Sequence, residues 1–343
     1  MVSLLYSFSL QKSLAVGKES VFALESEHAI RLSAAGMPEF ITKLNEIGLD
    51  AESGLSCAEL CHALKVNEDE LQPMLDKLVE VGVLTVNDGA STSFAVLAAQ
   101  RSGGGHKPAD VQANLDRTSI RILSKRDSPL TDAIAAALNR VGVSVSDSES
   151  ADLTIVIGTS ALDTDLFEFN QKALSDIAIG PWLAVVPFDG GNAWVGPFQL
   201  PHRSACYTCY RLRRSGNFGD EVVRGELLEL TGLPTPNSVI LDHPVTLVQA
   251  GIVANIVSDW AALREYAPSA IPGAVSRITL DTSGISVDSS RVLRVPRCPE
   301  CSPARDIGSP QVWFHRADTD LDFEHEVNMS IGVPVGASGS NNE

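Results

Sequence analysis

Four of the six cysteines stand in two C-x-x-C pairs: Cys206 and Cys209 in Ala205-Cys206-Tyr207-Thr208-Cys209-Tyr210, and Cys298 and Cys301 in Arg297-Cys298-Pro299-Glu300-Cys301-Ser302. Thiolates converging from two such pairs complete a tetrahedral zinc site of the structural kind, with no ligand position left for water. The other chemistry open to a C-x-x-C pair is dithiol redox, which goes with a thioredoxin-like strand–helix frame, and neither pair has one. Zinc is therefore expected at Cys206, Cys209, Cys298 and Cys301 as a staple that closes a long loop and holds the last strand against the middle of its domain. Cys57 and Cys61 share one helical face with no third ligand near, and read as core residues.

No catalytic set is legible. His202 and His243 are isolated and read as structural histidines. Lys125 and Arg126 could reach an anion, but the turn that holds them, Ser124-Lys125-Arg126-Asp127-Ser128-Pro129-Leu130, contains no glycine. Sheets that bind nucleotides carry a glycine-rich loop there, because only glycine lets the backbone approach phosphates at a helix N-terminus. Gly158 is a lone glycine and reads as a strand-end turn. Arg211, Arg213 and Arg214 form a basic patch that meets an acidic partner or complements nearby carboxylates.

The elements that position these groups belong to an acidic globular chain. With 343 residues there is room for two domains, and a 44% hydrophobic, 20% charged composition is that of a packed protein. A net charge of −17 argues against a nucleic-acid partner. No signal peptide opens the sequence, no stretch reaches about 18 apolar residues, and zinc-type cysteine spacing suits a reducing compartment. The expectation is a cytoplasmic protein with no membrane partner.

Residues 3–10, 20–26 and 28–34 read as three strands of a small antiparallel sheet. Three helices follow: one opening at Pro38 and stopping before Gly48, one with the capping box Ser56–Glu59 and ending near Leu64, and one capped by Asn67 and stopping at Gly82. In the third, Leu71, Met74, Leu75, Leu78 and Val79 fall within about 140° of arc, a broad apolar face. Val83–Val86 and Ser93–Leu97, joined across Asn87-Asp88-Gly89, look like a hairpin, which makes residues 1–99 a winged helix-turn-helix. Its last helix carries Glu68, Asp69, Glu70, Asp76 and Glu80 against Lys77, so DNA is disfavoured. An extended peptide added along His28–Ala34 suits it better, and a plain structural module stays open.

Residues 100–117, with Gly103-Gly104-Gly105, read as a flexible linker. From Ser119 the pattern alternates: Ile120–Leu123 strand, Leu130–Val141 helix, Asp152–Ile157 strand, Leu162–Ile177 helix, Trp182–Pro187 strand, as in a doubly wound parallel sheet. A hairpin at Gly190–Pro197, Leu227–Leu230, a helix from Pro244 to about Tyr266 and a hairpin around Asp281-Thr282-Ser283 complete residues 118–315. The helix stripe from Val245 to Trp260 is core or a subunit interface, which leaves a homodimer open. Residues 316–343 form an acidic tail, with Asp318, Asp320, Asp322, Glu324 and Glu326 in alternation, read as solvating or partner-contacting and disordered at its end.

This order resembles the ThiF-like, ubiquitin-activating-enzyme-like proteins of thiazole/oxazole-modified microcin and thiopeptide pathways, the leader-peptide-binding partners of YcaO cyclodehydratases. The most specific piece is Val195-Gly196-Pro197-Phe198-Gln199-Leu200-Pro201-His202-Arg203-Ser204-Ala205-Cys206-Tyr207-Thr208-Cys209, which looks like the family's approach to its first zinc pair. The resemblance implies an α/β fold: an N-terminal winged-helix recognition element, then a degenerate ThiF-like sheet with a four-cysteine zinc site. It implies a chain that binds the leader of a ribosomally made precursor through Ile30, Arg31, Leu32, Leu71, Leu75 and Val79. Such a chain presents the precursor's core to a separate YcaO enzyme for azoline formation from Cys, Ser or Thr. It is not an enzyme by itself, and with the glycine loop missing no ATP is expected. Two alternatives remain: a ThiF-like adenylating enzyme acting on a peptide or carrier-protein C-terminus, and a winged-helix transcriptional regulator.

Overall fold

Strands that are covered on both faces read as unbroken apolar runs rather than alternating ones. Leu153–Ile157 (LTIVI) and Trp182–Val186 (WLAVV) are such runs, and every residue in both is buried. The computed structural model describes residues 4–25, 28–49, 54–87, 89–102, 105–125, 128–217 and 243–302. Leu227–Leu230, Arg126 and the acidic tail lie outside the described residues.

The second half is a seven-stranded sheet built from β7 (Ser119–Ser124), β8 (Ser144–Val145), β9 (Leu153–Ile157), β10 (Trp182–Val186), β11 (Asn192–Gln199), β12 (Ala274–Asp281) and β13 (Gly284–Arg291). Its order is β13-β12-β11-β10-β9-β7-β8; β8, β7, β9 and β10 run parallel, and β11 to β13 add antiparallel at one side. The parallel strands are linked by α6 (Pro129–Arg140) and α7 (Thr164–Ser175). Ser128 caps α6 by accepting from the N–H of Thr131, and Pro129 sits where its missing N–H has no partner to lose. This is the doubly wound architecture expected from the alternation.

One face is covered by α6 and by a 20-residue helix, α9 (Pro244–Leu263), whose Val245, Val253, Ile256, Val257 and Trp260 are buried in the largest core. Each such side chain contributes about 1.5–3 kcal/mol. His243 caps this helix, its Nδ1 accepting from the N–H of Val245 at 3.2 Å. By length and composition α9 could cross a bilayer, which the sequence reading did not allow for; here it is a core helix with most of its surface buried.

The N-terminal half holds two small antiparallel sheets. β2 (Ser13–Val16), β3 (Val21–Glu25) and β4 (His28–Leu32) form one in that order; β1 (Leu5–Phe8) lies between β5 (Leu55–Ser56) and β6 (Leu84–Asn87) in the other. The first predicted strand thus joins a different sheet from the next two. The helices α1 (Met37–Glu46), α2 (Cys57–Leu64) and α3 (Glu68–Glu80) fall where expected. The capping box of α2 is complete: the Ser56 N–H donates to Glu59 Oε2 at 2.7 Å, and the Glu59 N–H donates to Ser56 Oγ at 3.3 Å.

The wing does not form. Residues expected as its second strand belong to α4 (Ser93–Arg101), which Thr92 caps by accepting from the Ala95 N–H. Alanines at 95, 98 and 99 favour the helix and bury a face of small side chains beside α9, a contact that local alternation cannot reveal. Part of the expected linker is also helix. Pro108 starts α5 (Pro108–Arg117), and Val111 and Leu115, one turn apart, are fully buried, so this stretch is packed structure.

Candidate functional site

The first cysteine pair lies at the start of α8 (Tyr207–Ser215), with Cys206 at the N-cap and Cys209 in the first turn. The second pair sits in turns after β13, where Arg297 takes a left-handed conformation and Ser302 N–H donates to Cys298 O. All four sulfurs lie within 4.8 Å of one another. Cys206 Sγ is 3.7 Å from both Cys209 and Cys298, and Cys209 Sγ is 3.5 Å from Cys301. A tetrahedral zinc with bonds of about 2.3 Å needs sulfurs roughly 3.8 Å apart, so the donor set fits. The Cys206 hydrogen bond, followed by the Val295 N–H, draws the Cys209 thiol down to about 4, and the same Cys206–Cys209 bond together with burial raises Cys206. The result is a buried four-cysteine cluster able to chelate a metal.

Arginines tie the segments around it. Arg213 donates to the carbonyls of Leu293 and Arg294, and Arg294 donates to those of Ser204 and His202. Arg211 lies over the Phe167 ring and Arg214 over Trp194. The basic patch of the sequence is therefore engaged with carbonyls and aromatic faces of its own protein. Close approach of β11 to β12 depends on Gly196, where any Cβ would strike the Ala274 carbonyl.

A second site opens where the chain direction reverses. From β7 the chain moves outward to β8, and from β9 it moves the other way to β10, so the ends of β7 and β9 border a crevice at the switch point. Open α/β sheets bind ligands at that position. Here a cavity of about 340 Å³ is lined by Leu123, Ser124 and Lys125 from β7 and its turn, Val156 and Ile157 from β9, and Asp165, Glu168, Phe169 and Lys172 from α7. Lys125 is ion-paired with Asp165, whose hydrogen bond raises the lysine. Asp163 caps α7. Burial alone would push its carboxyl up, but bonds from the Thr159 N–H and hydroxyl, both at 2.6 Å, and from the Asp165 N–H hold it below the ordinary value. Gly158 is needed for packing, since a Cβ there would stand 2.7 Å from Leu166 Cδ1.

The same helix reaches both sites. Buried Asn170 of α7 accepts from the Tyr207 N–H at 2.8 Å, beside Cys206, and Leu174 packs against the cysteine cluster. The α7 members of the crevice escaped the sequence reading, which read Leu162–Ile177 only as a crossover helix. Asp165, Glu168, Phe169 and Lys172 recur at helical spacing on one face, a signal that was present but silent without the strand ends opposite.

Of the expected peptide-groove residues, Leu71 and Leu75 are fully buried in the N-terminal core and line no open surface. The broad face of α3 divides: these two with Leu78 fill the core, and Val79 is half-buried at its margin. Ile30 and Arg31 are exposed on β4, and Leu32 is half-buried; the Arg31 guanidinium donates to Ser20. Cys57 and Cys61 pack at the edge of that core, and burial pushes Cys57 up to about 11.

No protein-family model and no curated protein matches the sequence. Solved structures do. A heterocyclase in complex with substrate and cofactor superposes with a TM-score of 0.62 at 20% identity, over 87% of this chain and 39% of that one. The heterocyclase TruD gives 0.61 at 22% identity, over 88% and 43%, so this chain spans well under half of either heterocyclase. E. coli MccB with MccA gives 0.54 at 14% identity over 87% of this chain and 99% of MccB, and MccB with ATP gives 0.52 at 15% over 86% and 99%. The fold is the ThiF-like, doubly wound one that MccB and TruD share.

These likenesses overturn three expectations. The family resemblance implied a chain that presents a leader peptide and is not an enzyme by itself, and the glycine-free turn after β7 added that no ATP is expected. MccB, which carries this fold along its whole length, holds ATP in one structure and AMPCPP with MccA in another. ATP is therefore found in a protein of this fold, and its absence is not to be expected from the fold. The physical reason is that the crevice is built by two strand ends and α7, and one turn reports only part of its wall.

Proposed function

We propose that this protein is an ATP-dependent enzyme that adenylates a peptide substrate. The observation that carries the reading is the fold shared end to end with MccB, a protein crystallised both with ATP and with MccA. The switch-point crevice supports it. Leu123, Val156 and Phe169 offer an apolar wall for a base, and Lys125, beside the α6 N-terminus, a cation for phosphate. Asp165 and Glu168 would repel a bare triphosphate, but they suit the divalent ion that accompanies it. Bound ATP supplies the adenylyl group, which passes to a peptide carboxylate as pyrophosphate leaves.

In this reading the cysteine quartet holds zinc and fixes the start of α8 against the second knuckle. The N-terminal half, a recognition element without a second wing strand, holds the peptide along the open edge of β4. Ile30, Arg31, Leu32 and Val79 make that contact. The test is exchange of labelled pyrophosphate into ATP by the full chain, with and without candidate precursor peptides. Peptide-dependent exchange that falls in Lys125→Ala is expected. A protein with its full metal content that neither binds Mg–ATP nor exchanges pyrophosphate would sink the proposal.

A further inference from the structure

A cavity of about 560 Å³ lies between β6 and α4, where the N-terminal half meets the helices leading to the large sheet. That is within the range of ligand pockets, about 300–1,000 Å³. It shares no residue with the cysteine cluster or the switch-point crevice. Its walls include Lys12, Val79, Leu84, Val86, Val96 and Gln100.

Two features there point to a ligand. The first is the strand edge. β6 is the outer strand of its sheet, and the Ser9 N–H donates to Val83 O at 3.0 Å. In an antiparallel pair, bonded residues alternate with unbonded ones. With Ser7 opposite Thr85 and Leu5 opposite Asn87, the residues bonded to β1 are Val83, Thr85 and Asn87. Leu84 and Val86 therefore direct their N–H and C=O groups away from β1; Leu84 is 1% exposed, so Val86, half-buried and lining the cavity, is the residue left to pair.

The second feature is Gln100. Its Oε1 and Nε2 are both sealed from solvent with no hydrogen-bond partner among the described residues. A carboxamide carries donors and an acceptor, and leaving both unmatched in a protein interior is costly. A ligand that draws this side chain round into the cavity and offers one donor and one acceptor removes that cost. Lys12 adds little selectivity, because its ammonium donates to Val81 O at 2.8 Å and has Glu25 at 3.9 Å.

An extended peptide backbone presents a donor and an acceptor at every second residue along each side. The geometry points to this cavity as a binding site for a short extended peptide segment. The segment lies along the edge of β6, its backbone bonded to the N–H and C=O of Val86, and the Gln100 carboxamide takes one of its other amides. The site meets the proposed β4-edge contact at Val79, but its bonds are to β6, and it stands whether or not the protein turns over ATP.

The test uses the full chain and the blocked tetrapeptide acetyl-Thr-Val-Thr-Val-amide, read by amide hydrogen exchange over residues 83–87. Saturating peptide should slow exchange there about tenfold, as a newly paired edge does, and its N-methylated counterpart should not. Gln100→Leu should weaken binding about tenfold through loss of the carboxamide. Val86→Pro, which removes an outward N–H but no bond to β1, should abolish the protection. Adenosine, which also presents adjacent donor and acceptor to a carboxamide, is titrated separately. Unchanged exchange with the tetrapeptide, protection by adenosine in its place, or protection undiminished in both variants would overturn the inference.

Discussion

The cysteine cluster and the switch-point crevice lie on two sides of one helix, and they are made in opposite ways. Each half of the cluster is a three-residue spacing written in the chain, and a single ion would lock the halves together. The crevice has no local signature: Ser124, Ile157 and Phe169 come from separate elements and meet only because β7 and β9 are neighbours. The cluster is closed and buried, whereas the crevice is open and keeps a charged rim. A site that must stay rigid can be encoded by spacing, but a site that must admit a ligand depends on what the fold leaves uncovered.

The sharpest way to break this comparison is Cys298→Ser. Three thiols would remain, two of them buried, with no fourth ligand, and loss of a structural metal belongs with the largest single-residue effects, above about 4 kcal/mol. Metal analysis should fall from about one ion per chain to near zero, with a matching drop in thermal midpoint. A variant that keeps both would show that the cluster is not a staple.

Trp182→Ala tests whether the two sites share a support. The indole is 1% exposed and touches Phe169 of the crevice wall and Tyr207 of the knuckle helix, at centroid distances of 5.1 and 6.2 Å. A cost of about 3–5 kcal/mol is expected, with weaker retention of metal and of ATP together. If only one of the two changes, Trp182 is not a shared support.

Lys125→Ala separates binding from stability. The lysine of its ion pair with Asp165 is 65% exposed, and pairs open to water contribute about 0–1 kcal/mol. The midpoint should hold while ATP affinity, measured by calorimetry, falls about tenfold, the scale of one charged hydrogen bond. Equal affinity in the variant would remove Lys125 from the nucleotide site.

The smallest effect is that of Asp163→Asn. Asparagine still caps, so only the charge at the α7 N-terminus is lost, which should cost about 0.3–1 kcal/mol at neutral pH. Because the folded carboxyl titrates below its ordinary value of about 4, its contribution is complete above that pH and fades as pH falls through the depressed value. Denaturation of both proteins between pH 3 and 7 should show the gap closing only at the acid end. A gap that is constant with pH would mean that the charge is irrelevant.

Much of the architecture was legible because it is encoded locally. Helix starts at Ser56, Ser128 and Pro244 and the apolar runs of β9 and β10 lie within a residue or two of where capping and patterning place them. Ser93–Leu97 misled, since five residues of mixed polarity suit a strand or a helix equally. The choice fell to the small alanine face and the core it met. Leu71 and Leu75 misled for the reverse reason: periodicity gives a face, but not which part of that face is covered.

By itself, the sequence determined the two cysteine pairs, most of the helix starts and the alternation that winds the sheet, because each depends on contacts a few residues long. Only the tertiary structure decided that a turn without glycine still borders a crevice, that the presumed wing is a helix, and that β6 keeps an open edge beside an unmatched amide. Those features depend on which surfaces are left after distant elements pack. No stretch of chain carries that information alone.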